Sequence, residues 1–143
     1  NFQGYTTHAG CDLFGLGITS ISDVQGVYKQ NPKKLNKYYE TIFAADKFMI
    51  CSNDDRERRE IIKQIMCNNF AIINENKYAR EIELMQEFFK DDLLSWSYPD
   101  LCHPEEILLE LTELGRYFTR NIAAVFDTYV RSQNAHKLFS KSL

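Results

Sequence analysis

The sequence predicts a mainly α fold, a helical C-terminal domain with winged-helix-like character, preceded by the terminal strand of another domain. Three observations lead there. Five of the six glycines, and neither Lys nor Arg, lie in the first 26 residues, whereas the chain beyond Lys29 is rich in charge. In that second part apolar residues recur at helical spacing, stretch after stretch. The opening instead holds one uncharged apolar run, Leu13 to Ile21, which reads as a short buried strand.

Such a strand needs neighbours on both edges, and the rest of the chain offers few. Residues 1–26 are therefore expected to be the last piece of a preceding sheet or barrel. A start at Asn1 rather than Met agrees with a part of a longer protein. Asn31-Pro32 breaks the chain, and Lys33 to Ala44 follows as a helix, Pro32 being favoured at a first turn. Tyr38, Tyr39, Ile42 and Phe43 give it an apolar face. Ser52-Asn53-Asp54-Asp55 has the form of a capping box, an acid three residues after a serine. Arg56 to Asn68 then carries Ile61, Ile62, Ile65 and Met66 at helical spacing.

Tyr78 to Leu94 is expected to be helical, with Ile82, Leu84, Met85, Phe88 and Phe89 as its apolar residues. Trp96 to Pro104 contains two prolines and reads as a loop, and Ile107 to Leu111 as a short strand. Thr112 can cap a final long helix from Glu113 to about Ser132. Along it Leu114, Phe118, Ile122, Val125, Phe126, Tyr129 and Val130 form one stripe at about 100° per residue.

Composition narrows the function classes. The chain has 143 residues, one domain's worth, and a net charge of −3. An acidic balance, with a pI near 5.6, argues against a nucleic-acid partner. Arg56, Arg58, Arg59 and Lys63 do not make a recognition helix, because Asp54, Asp55, Glu57 and Glu60 offset them. No uncharged run approaches the roughly 18 residues of a membrane span, so no membrane partner is expected. The four cysteines, Cys11, Cys51, Cys67 and Cys102, are widely spaced, form no CxxC pair, and are expected to be reduced, mostly buried thiols of a cytoplasmic protein. His8, His103 and His136 stand apart from any triad order. Gly15-x-Gly17 lacks the third glycine of a dinucleotide loop; its physical meaning is close approach of backbone to a neighbour or a ligand. Arg116 and Arg120, one turn apart, could form a paired cationic site, or simply a solvated helix face.

Four segments in register carry a specific resemblance. They are Asn1-Phe2-Gln3-Gly4-Tyr5-Thr6-Thr7 with Asp12-Leu13-Phe14-Gly15-Leu16-Gly17-Ile18-Thr19-Ser20-Ile21-Ser22; Tyr28-x-Gln30-Asn31 with Leu35-x-x-Tyr38-Tyr39; Asp54-Asp55-x-x-Arg58-Arg59-x-Ile61-Ile62; and Gly115-Arg116-x-x-x-Arg120-Asn121-Ile122-Ala123-x-x-Phe126-Asp127-x-Tyr129-x-Arg131. Together they resemble the oxygen-independent coproporphyrinogen III oxidase (dehydrogenase) family of radical S-adenosylmethionine enzymes, as a C-terminal fragment. Phe70 to Leu111 adds little to the match, and the wing-like strand pair usual there reads as poorly formed.

The resemblance implies an anaerobic haem-biosynthesis enzyme that converts two propionates of coproporphyrinogen III to vinyl groups. A 4Fe–4S cluster on a CxxxCxxC motif reductively cleaves S-adenosylmethionine in such enzymes, and that motif is absent here. It further implies that residues 1–26 end the radical S-adenosylmethionine barrel and that 27–143 form the helical C-terminal domain, inactive alone and binding no cofactor alone. The expected partners are coproporphyrinogen III, the N-terminal barrel of the same protein and an electron donor. By resemblance, Phe2, Gln3 and Ile21 lie beside bound S-adenosylmethionine, with no catalytic residue and no metal ligand in the chain. A related haem chaperone and a non-catalytic winged-helix module are the alternatives.

Overall fold

The computed structural model describes residues 6–8, 10–42 and 48–132. They fall into two compact units, Asn1–Arg56 and Glu57–Leu143. The fold is mixed α/β, not mainly α, because each unit holds a three-stranded antiparallel sheet.

In the first unit β1 (Ile21–Val24) and β2 (Val27–Gln30) form a tight hairpin, registered from Ile21 opposite Gln30 to Val24 opposite Val27. Gln25 and Gly26 make its two-residue turn, both at positive φ (50° and 81°), which matches the twist of the flanking strands. The helix α1 (Leu35–Thr41) follows, and β3 (Met49–Ile50) pairs with β2. The expected strand over Leu13–Ile21 is not formed. Leu13 makes a lone bridge to Asp23, Gly17 and Thr19 take positive φ (90° and 60°), and regular strand begins only at Ile21. Within this chain Phe14 and Leu16 are 70% and 88% exposed. α1 is shorter than Lys33–Ala44 and buries none of its residues; Phe43 and Ala44 lie outside the described residues.

The unit boundary falls within α2 (Asn53–Asn68). Its capping box is present: the Asp55 N–H donates to Ser52 Oγ at 3.1 Å, and the Ser52 N–H donates to Asp55 Oδ2 at 2.8 Å. Ile61, Ile65 and Met66 on α2 enter the core of the second unit. They pack with Ala71 and Ile73 of β4 (Phe70–Asn74), Leu94 of β5 (Leu94–Ser97) and Ile107, Leu109 and Leu111 of β6 (Glu106–Leu111). The sheet order is β4-β6-β5. Its hairpin of β5 and β6 is well formed, contrary to the expectation of a poor strand pair, and Trp96 belongs to β5 rather than to a loop. On the outer edge of β4, Gln64 Oε1 accepts the Ile72 N–H at 3.3 Å and so satisfies a donor that would otherwise be open to another strand.

Two expected helices are broken. Tyr78–Leu94 divides into α3 (Ala79–Leu84) and α4 (Gln86–Lys90), where Met85 leaves helical ψ (−1°) and sinks into the core. The long helix over 113–132 is a 3₁₀ turn at Gly115–Phe118, then α5 (Thr119–Ala124) and α6 (Thr128–Ser132). Thr112 does cap its start, Oγ1 accepting the Gly115 N–H at 3.0 Å. The later break lies at Asp127, whose Oδ1 accepts the N–H groups of Tyr129 and Val130 at 2.9 and 3.0 Å. Ile122 and Phe126 are nonetheless fully buried, with Phe118 and Val125 packed against the same core, while Leu114 and Tyr129 at the two ends of the expected stripe are exposed.

Candidate functional site

The loop before β1 is the densest polar construction of the first unit. Asn31 closes it. Its Nδ2 lies 2.9 Å from Gly17 O, 3.0 Å from Ser20 Oγ and 3.2 Å from Gly15 O. Ser20 Oγ donates to Gly17 O at 2.7 Å, and the Gly17 N–H donates to Tyr38 Oη on α1 at 3.2 Å. The Gly15 N–H donates to Ser22 Oγ at 3.0 Å. Backbone bonds from Asn31 N–H to Ser20 O (2.9 Å) and from Thr19 N–H to Pro32 O (3.0 Å) close the ring. Two sequence segments that resemblance brought side by side, the Gly15-x-Gly17 run and Asn31 with Tyr38, are thus one hydrogen-bonded body.

The two glycines serve different ends. A Cβ on Gly15 would stand 2.7 Å from the Ile21 carbonyl oxygen, so Gly15 allows close backbone approach to a packed neighbour. At Gly17 nothing stands within 4 Å, and the need is its φ of +90°. Ile21 opens β1, half-buried, opposite Gln30. Phe2 and Gln3 lie outside the described residues. Sequence reasoning read Asn31 only as part of a chain break and Tyr38 only as part of an apolar face, and gave Ser20 no role; their presence in the matched segments was the available signal.

The other matched segments hold the second unit together. Arg58 Nη1 donates to Glu81 Oε1 at 2.9 Å and reaches Phe126 O at 3.4 Å, while its guanidinium lies 5.2 Å from the Tyr78 ring centroid. Glu81 is a buried carboxylate, its side chain 4% exposed. Tyr78 and Phe126 meet edge to face at 5.8 Å. Arg58 thereby ties α2, α3 and the turn that follows α5 together. Gly115 is buried because the Leu93 carbonyl passes directly over its Cα. Arg116 and Arg120 are exposed.

The cysteines depart from expectation: Cys51 is buried, but Cys11, Cys67 and Cys102 are exposed. Beside Cys102, Asp100 lies below its ordinary carboxylate range, held chiefly by the Cys102 N–H and then by His103 Nδ1 at 3.1 Å. Among the described residues no three His, Cys, Asp or Glu side chains converge to hold a metal ion. Nor is any described helix long and apolar enough to cross a membrane.

No family model matches the chain. Curated relatives do. It is 38% identical over 156 residues to the oxygen-independent coproporphyrinogen III oxidase of Synechocystis, covering 100% of this chain and 33% of that protein. The Pseudomonas aeruginosa protein of the same name is 32% identical, with 96% of this chain and 31% of that protein covered. Among solved structures, coproporphyrinogen III oxidase (HemN) from Escherichia coli, described as a radical SAM enzyme, superposes with a TM-score of 0.72 at 31% identity. The chain is homologous to part of the oxygen-independent coproporphyrinogen III oxidases. It spans about a third of the length of these relatives: the superposition covers 90% of this chain and 31% of the Escherichia coli oxidase. The coproporphyrinogen III oxidase likeness therefore takes in both compact units, the Asn31 loop and the Arg58–Glu81 pair together.

Proposed function

We propose that this chain is the C-terminal part of an oxygen-independent coproporphyrinogen III oxidase of anaerobic haem biosynthesis. The whole enzyme would convert two propionates of coproporphyrinogen III to vinyl groups, giving protoporphyrinogen IX and carbon dioxide, with an electron donor as its redox partner. Residues 1–26 are assigned to the end of the radical S-adenosylmethionine barrel and 27–143 to the C-terminal domain, although the β1–β2 hairpin joins the two within the compact unit Asn1–Arg56. The winged-helix reading of that domain has support in the order α2, β4, α3, α4, β5, β6 and the sheet order β4-β6-β5. The observation that carries the proposal is likeness over the full chain, with the motif residues meeting in space.

Phe2, Gln3 and Ile21 are the proposed S-adenosylmethionine contacts. The described part of that set fits the group: Ile21 is half-exposed at the mouth of β1, an apolar surface suited to an adenosyl moiety. Bound there, S-adenosylmethionine supplies the hydrogen-abstracting chemistry of the whole enzyme; Ile21 would contribute a dry wall, and the Gln3 amide could pair with the adenine edge. The 4Fe–4S cluster does not fit this chain, whose cysteines are scattered, and is assigned to the remainder of the parent.

Two measurements test the reading. The complete protein, anaerobically loaded with its cluster and supplied with S-adenosylmethionine, is expected to form protoporphyrinogen IX from coproporphyrinogen III; a loaded enzyme leaving that substrate untouched would contradict it. The 143-residue chain alone is expected to retain no cluster after the same reconstitution, and a stoichiometric, cysteine-dependent brown cluster on it would move the chemistry into this part.

A further inference from the structure

We infer that Asn31 is a positioning residue, whose side-chain amide locks the Gly15–Ser20 loop and thereby sets Ile21 against S-adenosylmethionine. The inference rests on the cofactor role proposed for Ile21. It begins with strain. Thr19 is β-branched and sits at φ +60°, a conformation such residues seldom adopt. The loop is held there by Thr19 N–H to Pro32 O, by Gln30 Nε2 to Thr19 O at 3.3 Å, and by the three oxygens gathered around Asn31 Nδ2.

Within this chain Phe14, Leu16 and Ile18 are exposed, and the loop is held by hydrogen bonds rather than by the buried core. What the strained loop does fix is the point at which the chain enters β1. Ser20 pairs with Asn31 through the Asn31 N–H, one step beyond the Ile21–Gln30 pair. Gly15 lies on the backbone of Ile21. Asn31 therefore grips Ile21 from both sides: through the ladder by its backbone, and through Gly15, Gly17 and Ser20 by its side chain. The amide nitrogen supplies two N–H hydrogens to the three oxygens around it, which a carboxylate in its place cannot do.

The test uses the complete, anaerobically loaded enzyme, with S-adenosylmethionine binding measured by equilibrium dialysis and melting followed on the same samples. Asn31→Asp keeps the shape and turns a donor into a carboxylate facing three oxygens. It is expected to weaken S-adenosylmethionine binding about tenfold or more, raising its KM while kcat at saturation stays near wild type. Tyr38→Phe removes one acceptor of the loop and should weaken binding roughly threefold. Ile21→Ala is the control. Folded Asn31→Asp with wild-type affinity, beside a weakened Ile21→Ala, overturns the role of Asn31 alone. Wild-type affinity in both overturns the cofactor reading of Ile21 and this inference with it. If Asn31→Asp does not fold, unchanged affinity in Tyr38→Phe overturns the inference, and a threefold loss without a fall in melting supports it.

Discussion

Arg58→Met is expected to destabilise the second unit by about 3–5 kcal/mol, because it removes the 2.9 Å ion pair from a buried carboxylate, Glu81. Glu81 is 4% exposed at its side chain and cannot recover the lost ion pair from water. The same change frees the Phe126 carbonyl from its 3.4 Å contact and removes the guanidinium from the Tyr78 face. For a unit of fewer than 100 residues the loss corresponds to a melting temperature lowered by more than about 10 °C. The double variant Arg58→Met/Glu81→Leu should regain much of it, since two apolar groups of similar shape need no partner. Melting by near-ultraviolet circular dichroism reads both. A single variant as stable as wild type would show that the pair lies on solvent in effect, whatever its burial.

Gly115→Ala should be nearly as damaging, at about 3 kcal/mol or more. Its Cβ would overlap the Leu93 carbonyl oxygen, a backbone atom that cannot swing away. That carbonyl also accepts the Thr112 N–H at 3.1 Å, so moving it breaks the cap of the 3₁₀ turn. Gly17→Ala gives the contrast. It meets open space and pays only for a left-handed backbone, about 1–2 kcal/mol. Denaturant melts of the two variants should rank them in that order, and the reverse would show that space at Gly115 is not what the glycine provides.

What was legible in the sequence were the features a few adjacent residues decide. The Ser52–Asp55 box and the Ile61–Met66 stripe specify α2 locally, and both are observed. The strand Ile107–Leu111 was legible as a short apolar run and lies within β6. β4 was not legible, because Phe70 and Ile72 are apolar on its outer face as Ala71 and Ile73 are on its inner face, which erases the alternation of a half-buried strand. The middle of the stripe, Phe118 to Phe126, reported the packing correctly, but its ends and the break were not legible: Leu114 and Tyr129 are exposed, and Asp127 caps a new helix, α6, with its own side chain without disturbing the apolar order. The Leu13–Ile21 run misled for a related reason. Apolar composition suggested a strand, but Asn31, Ser20 and Ser22 satisfy its backbone with side chains, and positive φ at Gly17 and Thr19 bends it. Ser22 and Asn31 lie 7 to 16 residues from the groups they hold, beyond the reach of any local pattern. The resemblance singled out Gly15, Gly17, Asn31, Tyr38, Arg58 and Gly115 together; only the fold shows that the first four brace one loop while Arg58 and Gly115 brace a separate unit.

The central claim, that the start of β1 faces the cofactor, is tested most directly by Ile21→Asp in the complete enzyme. A carboxylate set against an apolar adenosyl surface loses its hydration there, and S-adenosylmethionine binding should weaken on the order of a hundredfold. Binding and melting are measured on one sample, since an isoleucine that only packs would show its loss as lower stability. The account predicts a large loss of S-adenosylmethionine affinity with melting little changed. A folded Ile21→Asp enzyme that binds S-adenosylmethionine as tightly as wild type would contradict it.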